Sequence, residues 1–152
     1  MRVTYVIGKE AVLKEVRRLT HYGGHRKTGD DGAFERMRAT DSDKDMLEQF
    51  WKAACSAATE QLMHYTKCIS NDDIGESTAY EVEMEMPSLY DVILNDSIEE
   101  SLQNFFINLI ASKWYKITSP EDEVKYAAEA NGYMKDIENK IYHRKRPKRD
   151  EY

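Results

Sequence analysis

Two pairs of residues in this sequence have the spacing of metal ligands on a helix. His64 and Cys68 are four residues apart, and so are His21 and His25. Positions i and i+4 share one helical face, so each pair would place two zinc-binding side chains next to each other. A structural zinc site needs four ligands, and neither pair stands beside a second pair at zinc-site spacing. We therefore expect no metal site, and a metal-binding helical bundle that joins both pairs remains an alternative.

Three aspartates at alternate positions have the opening spacing of a calcium-binding loop. They are Asp41, Asp43 and Asp45. The sixth position of such a loop must be glycine and the twelfth a bidentate glutamate, whereas this chain has Met46 and Lys52 there. Acidic residues are also favoured in the first turn of a helix, where the helix dipole attracts them. A helix start is the better interpretation of these aspartates.

No other residues form a recognisable catalytic pattern. Gly24, Lys27 and Thr28 have only a faint likeness to a phosphate-binding loop, because Arg26 stands where that loop requires glycine. Cys55 has no histidine at helical spacing to activate it, and no pair of carboxylates stands out from a surface rich in acids. We expect a protein that is not an enzyme and that binds no cofactor.

The elements that carry these residues are predicted to be mainly helical. Apolar residues at every third or fourth position, from Val12 to Leu19, indicate a first helix that stops near Tyr22, because two glycines follow. A glycine-rich loop is predicted at 22–33. A second helix follows the capping residues at 40–42 and should run to about Cys68, with a bundle-like apolar stripe.

Two further helices have start signals of their own. Ser97-x-x-Glu100 has the pattern of a capping box, and the wide apolar face that follows predicts the central helix of the core. Ser119 precedes Pro120 and three acidic residues, which is typical of a helix N-terminus. That last helix should end before Pro147.

One segment has the alternation of a strand. Four apolar residues alternate with glutamates and are followed by Pro87: Tyr80, Val82, Met84 and Met86. A single strand cannot satisfy its own backbone, so it must pair. Its partner is either the β-branched segment Val3–Ile7 or a strand of a neighbouring subunit, and the sequence leaves both open.

Length and composition are those of one globular domain. The chain has 152 residues, of which 41% are hydrophobic and 33% are charged. We predict a mainly α fold, a bundle of about four helices with a short β-strand or hairpin, as a single domain at 1–143. No apolar run is long enough to cross a membrane, and Met1–Ile7 lacks the pattern of a signal peptide, so we expect synthesis in a cytoplasm.

A basic tail at 144–152 is the feature most indicative of a partner. Its five cationic residues carry +5, and because the whole chain has a net charge of −6, the remainder has −11. Such a tail is suited to an acidic surface, either of a protein or of a nucleic acid. The predicted partner-binding residues are Arg144, Lys145, Arg146, Lys148 and Arg149.

The order of these pieces resembles a known family. YEVEMEMP, SIEESLQNFFINLIASKWYKI and SPEDEVKYAAEANGYMKDIENKIYHRKRPKR follow an alanine-rich helix, and an aliphatic–aromatic helix ends in Trp114 and Tyr115. From Asp41 to Arg149 the pattern is similar to the small helical adaptor proteins of tailed bacteriophages, which form the head–tail connector beneath the portal.

The resemblance implies a structural virion protein at the head–tail junction, assembled in the host cytoplasm. Its partners would be identical copies in a ring, of twelve if the family pattern holds, together with the portal protein and a tail or second connector protein. DNA would pass through the channel without sequence-specific binding, and no membrane would be involved. A small helical interaction module and a DNA-associated regulator remain alternatives, although the net charge of −6 disfavours the regulator.

Overall fold

The computed structural model describes residues 1–26, 43–69 and 78–144 of the chain. Within these ranges the polypeptide forms three strands and four α-helices, in the order β1 (Arg2–Gly8), α1 (Lys9–Arg26), α2 (Lys44–Leu62), β2 (Thr66–Ile69), β3 (Ala79–Glu85), α3 (Asn95–Thr118) and α4 (Pro120–Ile141). A short 3-10 helix, Val92–Leu94, precedes α3. The prediction of a mainly helical bundle with a short β element is confirmed.

The strands form one antiparallel sheet in the order β1–β3–β2. β3 is the central strand, and its apolar residues Tyr80, Val82 and Met84 are buried, as is Met86 just beyond it. Of the two partners that the sequence leaves open, the N-terminal segment is the one observed, with Val3 opposite Met84 and Ile7 opposite Tyr80.

The alternative, in which the strand of Tyr80, Val82, Met84 and Met86 pairs with a neighbouring subunit, does not hold for that strand. Both edges of β3 are occupied by strands of the same chain. Any pairing between subunits must therefore use an outer strand of this sheet.

α3 is the centre of the core, as its wide apolar face predicts. It packs along its length against α4 on one side, and against α1 and α2 on the other. Phe106 lies where the layers meet, because its ring is 5.1 Å from that of Trp51 on α2 and 5.2 Å from that of Tyr80 on β3. Burial of these large rings is a main source of the stability of the fold.

Two predicted helix ends are wrong. α1 continues through Gly23 and Gly24 to Arg26, so the predicted loop at 22–33 does not begin at 22, and its remainder lies outside the described residues. α2 ends at Leu62, and Cys68 lies in β2. The chain leaves the helix because the Glu85 amide donates to the Tyr65 carbonyl at 2.7 Å, which draws the segment into the sheet.

The predicted capping box of α3 is also wrong, whereas the start of α4 is confirmed. α3 begins at Asn95, and the carboxylate of Asp91 accepts a hydrogen bond from the Ile93 amide of the preceding 3-10 helix at 3.3 Å. α4 begins at Pro120, after Ser119. Ser119 donates its hydroxyl proton to Asp122 at 2.9 Å and makes no side-chain cap to the backbone.

Candidate interaction surface

The metal-binding alternative rests on two pairs of residues, of which His64 and Cys68 do not lie on one helix. His64 is exposed in the turn after α2, and Cys68 belongs to β2, so the two do not share a helical face. His21 and His25 both belong to α1, but the side chain of His25 is outside the described part of the structure. No cluster of three or more histidine, cysteine or acidic side chains suited to a metal is present among the residues that the structure describes.

Among the residues that the structure describes, the remaining candidates for chemistry lie apart in ordinary structural positions. Cys55 is buried on α2, and desolvation raises the pKa of its thiol to about 12. Such a thiol is protonated at neutral pH and is a poor nucleophile. Asp43 and Asp45 lie at the start of α2, as the helix interpretation predicts, while Asp41, Lys27 and Thr28 lie outside the described residues.

Six of the ten exposed large hydrophobic residues in the described part of the chain lie toward one end of the molecule. Hydrogen bonds bring the termini of several elements together there. The Met86 amide donates to the Met1 carbonyl at 2.8 Å, and the Tyr65 hydroxyl donates to that of Tyr142 at 3.2 Å. A backbone bridge joins Tyr90 to Arg144.

We call this region the apolar end. Six large hydrophobic residues within a few positions of those contacts have exposed side chains: Met1, Met63, Leu89, Val92, Ile93 and Tyr142. Ile93 is 79% exposed. Single exposed apolar residues are ordinary on protein surfaces, whereas a group of them at one place marks an interaction site.

Hydrogen bonds of a buried tyrosine fix the segment that carries Leu89, Val92 and Ile93 to the core. Tyr90 is buried, and its hydroxyl donates to Asn95 Oδ1 at 2.6 Å. The Tyr5 hydroxyl of β1 lies 3.4 Å from both of these atoms. Burial raises the pKa of Tyr5 and that of Tyr90, so both phenols stay protonated and able to donate. The segment is therefore preorganised to present its apolar side chains, which lowers the entropic cost of binding.

The predicted basic tail leaves the body at this same end. Arg144 is exposed and is the last described residue. The other four predicted partner-binding residues, Lys145, Arg146, Lys148 and Arg149, lie outside the described part of the chain.

A second surface is the outer edge of β1. In an antiparallel ladder, alternate residues direct both backbone groups to one neighbour. Met86 bonds to Met1, and the Lys9 amide bonds to the Thr78 carbonyl at 2.9 Å. The backbone N–H and C=O groups of the odd-numbered residues of β1 therefore point toward β3. Those of the even-numbered residues point outward. No described residue hydrogen-bonds to the outward backbone groups of Arg2, Thr4 and Val6, whereas the Gly8 carbonyl accepts the first hydrogen bond of α1.

The solvent face of the sheet beside this edge is acidic. Glu81, Glu83 and Glu85 of β3 lie opposite Val6, Thr4 and Arg2, respectively. Arg2 contacts Glu83 and Glu85 at 3.5 Å, and the N-terminal ammonium is 3.7 Å from Glu85. Two of the three carboxylates, those of Glu83 and Glu85, thus lie close to Arg2 and the chain terminus.

The apolar end is not predicted from the sequence. The only local signal is the apolar content of Leu89–Leu94, which follows Pro87 and fits neither a helical nor a strand period. The open edge of β1 depends on strand order, which no local pattern determines.

Comparisons with protein-family models, with characterised proteins and with solved structures give no match. Among the helices in the described ranges, none is both long and apolar enough to cross a membrane.

Proposed function

We propose that this chain is a structural assembly subunit of the kind that forms the head–tail connector of tailed bacteriophages. The observation that carries the proposal is the position of the apolar end at the root of the basic tail. An apolar contact surface with cationic residues beside it is suited to a protein partner that presents an apolar pocket with an acidic rim.

The two parts of this surface have different physical roles. Exposed aliphatic side chains on a rigid support supply binding energy when a partner removes them from water, at about 25 cal/mol per Å². The tail supplies long-range attraction, which speeds encounter and fixes orientation. In a connector, the portal protein and identical neighbouring copies are the surfaces that would be contacted.

The distribution of charge fits a channel-forming role. The chain without its five basic tail residues has a net charge of −11. An acidic wall repels the phosphates of passing DNA and does not hold them. This is compatible with DNA transit without sequence-specific binding.

The test is negative-stain electron microscopy with mass determination over a concentration series, with the chain alone and with the portal protein of the genome that encodes it. We expect closed rings of many copies, free or bound to the portal. Deletion of 144–152 should abolish portal docking and leave the fold intact. A monomer in both samples, or a discrete dimer that becomes DNA-bound, would contradict the proposal.

A matched pair of substitutions makes the test specific to the apolar end. Ile93→Ser removes an exposed aliphatic side chain at this end, and Val124→Ser removes one that is 70% exposed on α4, in the second turn of that helix at the opposite end. We expect Ile93→Ser to weaken assembly by about tenfold or more, as for a central contact residue. Val124→Ser should assemble as the unaltered chain does, and equal effects would remove the apolar end from the proposal.

A further inference from the structure

We propose that the basic tail of one copy adds as an extended strand to the open edge of β1 in a second copy. This inference rests on the proposed assembly role and identifies the acidic surface that the tail binds. The outer edge of β1 offers three residues, Arg2, Thr4 and Val6, whose outward backbone donors and acceptors have no described partner, and an exposed edge of this kind is a template for another strand.

The charges on the two sides are complementary. A strand beside β1 would have one set of side chains on the face that carries Glu81, Glu83 and Glu85. The tail has five cationic residues within six positions, Arg144–Arg149. Long arginine and lysine side chains on the added strand can extend over Thr4 and Val6 toward the glutamates, because neighbouring strands are about 4.8 Å apart.

Pro147 determines which side chains of the tail lie on the acidic face of the sheet. Proline has no N–H, so within an added strand its nitrogen must face away from β1. Residues of the tail at even positions then hydrogen-bond to the even-numbered residues of β1. Residues directly opposite each other share a face, so Arg146 and Lys148 lie on the acidic face, and Lys145 and Arg149 lie on the other.

For an antiparallel strand, the length of the tail requires a second copy as its source. An antiparallel strand must enter beside Gly8 and run toward Arg2, whereas the tail leaves its own body beside Tyr90, at the Met1 end. The eight residues after Arg144 span at most about 29 Å when fully extended. β1 itself is about 24 Å long, so a tail that first ran the length of its own β1 would have no residues left to pair on the way back.

The test is binding of a labelled synthetic peptide, residues 143–152, to the full chain at concentrations where the chain is monomeric and its β1 edge is unoccupied, measured by fluorescence anisotropy. Val6→Pro removes an outward N–H without breaking a bond to β3, and should weaken peptide binding by about tenfold, equivalent to about 1.4 kcal/mol. Val6→Thr keeps that N–H and serves as its control. Thr4→Pro tests the same edge at a second position if Val6→Pro unfolds.

Two peptides of equal charge test the predicted face. Arg146→Glu with Lys148→Glu should lose about tenfold or more in affinity, and Lys145→Glu with Arg149→Glu should bind nearly as the unaltered peptide does. Equal losses for both peptides, full binding to Val6→Pro, or no binding to the unaltered chain would overturn strand addition.

The outcome is separable from that of the proposed function. Rings that are weakened by Ile93→Ser but not by Val6→Pro would leave the assembly role in place and remove strand addition. If the chain binds the peptides in the predicted pattern but forms no ring, strand addition would stand and the proposed assembly role would be removed.

Discussion

At one end of the α3–α4 hairpin the chain reverses at a single residue, Ser119, and at the other end five segments meet. The reversal uses only neighbouring residues, since Ser119 bonds to Tyr115 through its amide and to Asp122 through its hydroxyl. The apolar end is held by contacts such as Tyr5 with Tyr90 and Tyr65 with Tyr142, which are 85 and 77 residues apart. Local chemistry is sufficient for a turn, whereas an interaction surface at this end requires the whole fold.

The largest expected effect is a loss of stability when a ring at the centre of the core is removed. Phe106→Ala removes a fully buried ring that contacts both α2 and β3. We expect the free energy of unfolding to fall by about 3–5 kcal/mol, measured by urea denaturation. Ile93→Ala, at the apolar end, should change it by less than about 0.5 kcal/mol. A similar loss for both would mean that Ile93 stabilises the monomer and is not reserved for a partner.

A smaller effect is expected for the support beneath the apolar end. Tyr90→Phe removes the hydroxyl that donates to Asn95 at 2.6 Å, and should destabilise the fold by about 1 kcal/mol. It should also weaken assembly, because the segment that carries Leu89 and Ile93 loses the hydrogen bond that fixes it to the start of α3. Tyr142→Phe is the control: its exposed hydroxyl accepts from Tyr65, and its loss should cost less than about 0.5 kcal/mol. Unchanged assembly of the Tyr90→Phe protein would show that rigidity is unimportant there.

The outer face of α4 should respond in the opposite direction. A Cβ added at Gly132 meets no atom within 4 Å. Gly132→Ala should therefore stabilise the monomer by about 0.5–1 kcal/mol, because glycine is a poor helix former. Thermal unfolding measures the gain. Loss of rings in a more stable Gly132→Ala protein would place a subunit contact on α4 and shift the account away from the apolar end.

The smallest expected effect is a pH dependence at the apolar end. Partial burial and the hydrogen bond to Tyr142 raise the pKa of Tyr65 to about 12, above its usual 10.0. Because the folded-state pKa is raised, the stabilisation is complete below pH 10 and is lost as the pH rises toward 12. Unfolding free energies across this range should fall less steeply for Tyr65→Phe than for the unaltered chain. Identical slopes would rule out a contribution from this pair.

The sequence predicts the elements whose signals are local. Ser119 and Pro120 determine the start of α4, and the alternation of Tyr80, Val82 and Met84 identifies β3 and its buried face. The predicted start of α3 is wrong because the Ser97-x-x-Glu100 pattern lies inside the helix and does not cap it. The chain enters α3 through a 3-10 helix capped by Asp91. α2 was predicted too long because the pairing of Tyr65 with Glu85 is a contact between distant segments.

The candidate surface was predictable only in part. The cationic residues from Arg144 onward are evident in the sequence, but the position of Arg144 beside Tyr90 depends on how α4 packs against α3. The ligand pair His64 and Cys68 illustrates the reverse case, since a spacing that suggests a shared helical face is lost once Cys68 lies in a strand.

The most direct test of the apolar end as the assembly contact is hydrogen–deuterium exchange with mass spectrometry, which compares the assembled protein with the dilute monomer. The account predicts slower exchange in peptides that cover 86–94 and 142–149 upon assembly, with no change at 119–126. Protection at 119–126 without protection at 86–94 would contradict it.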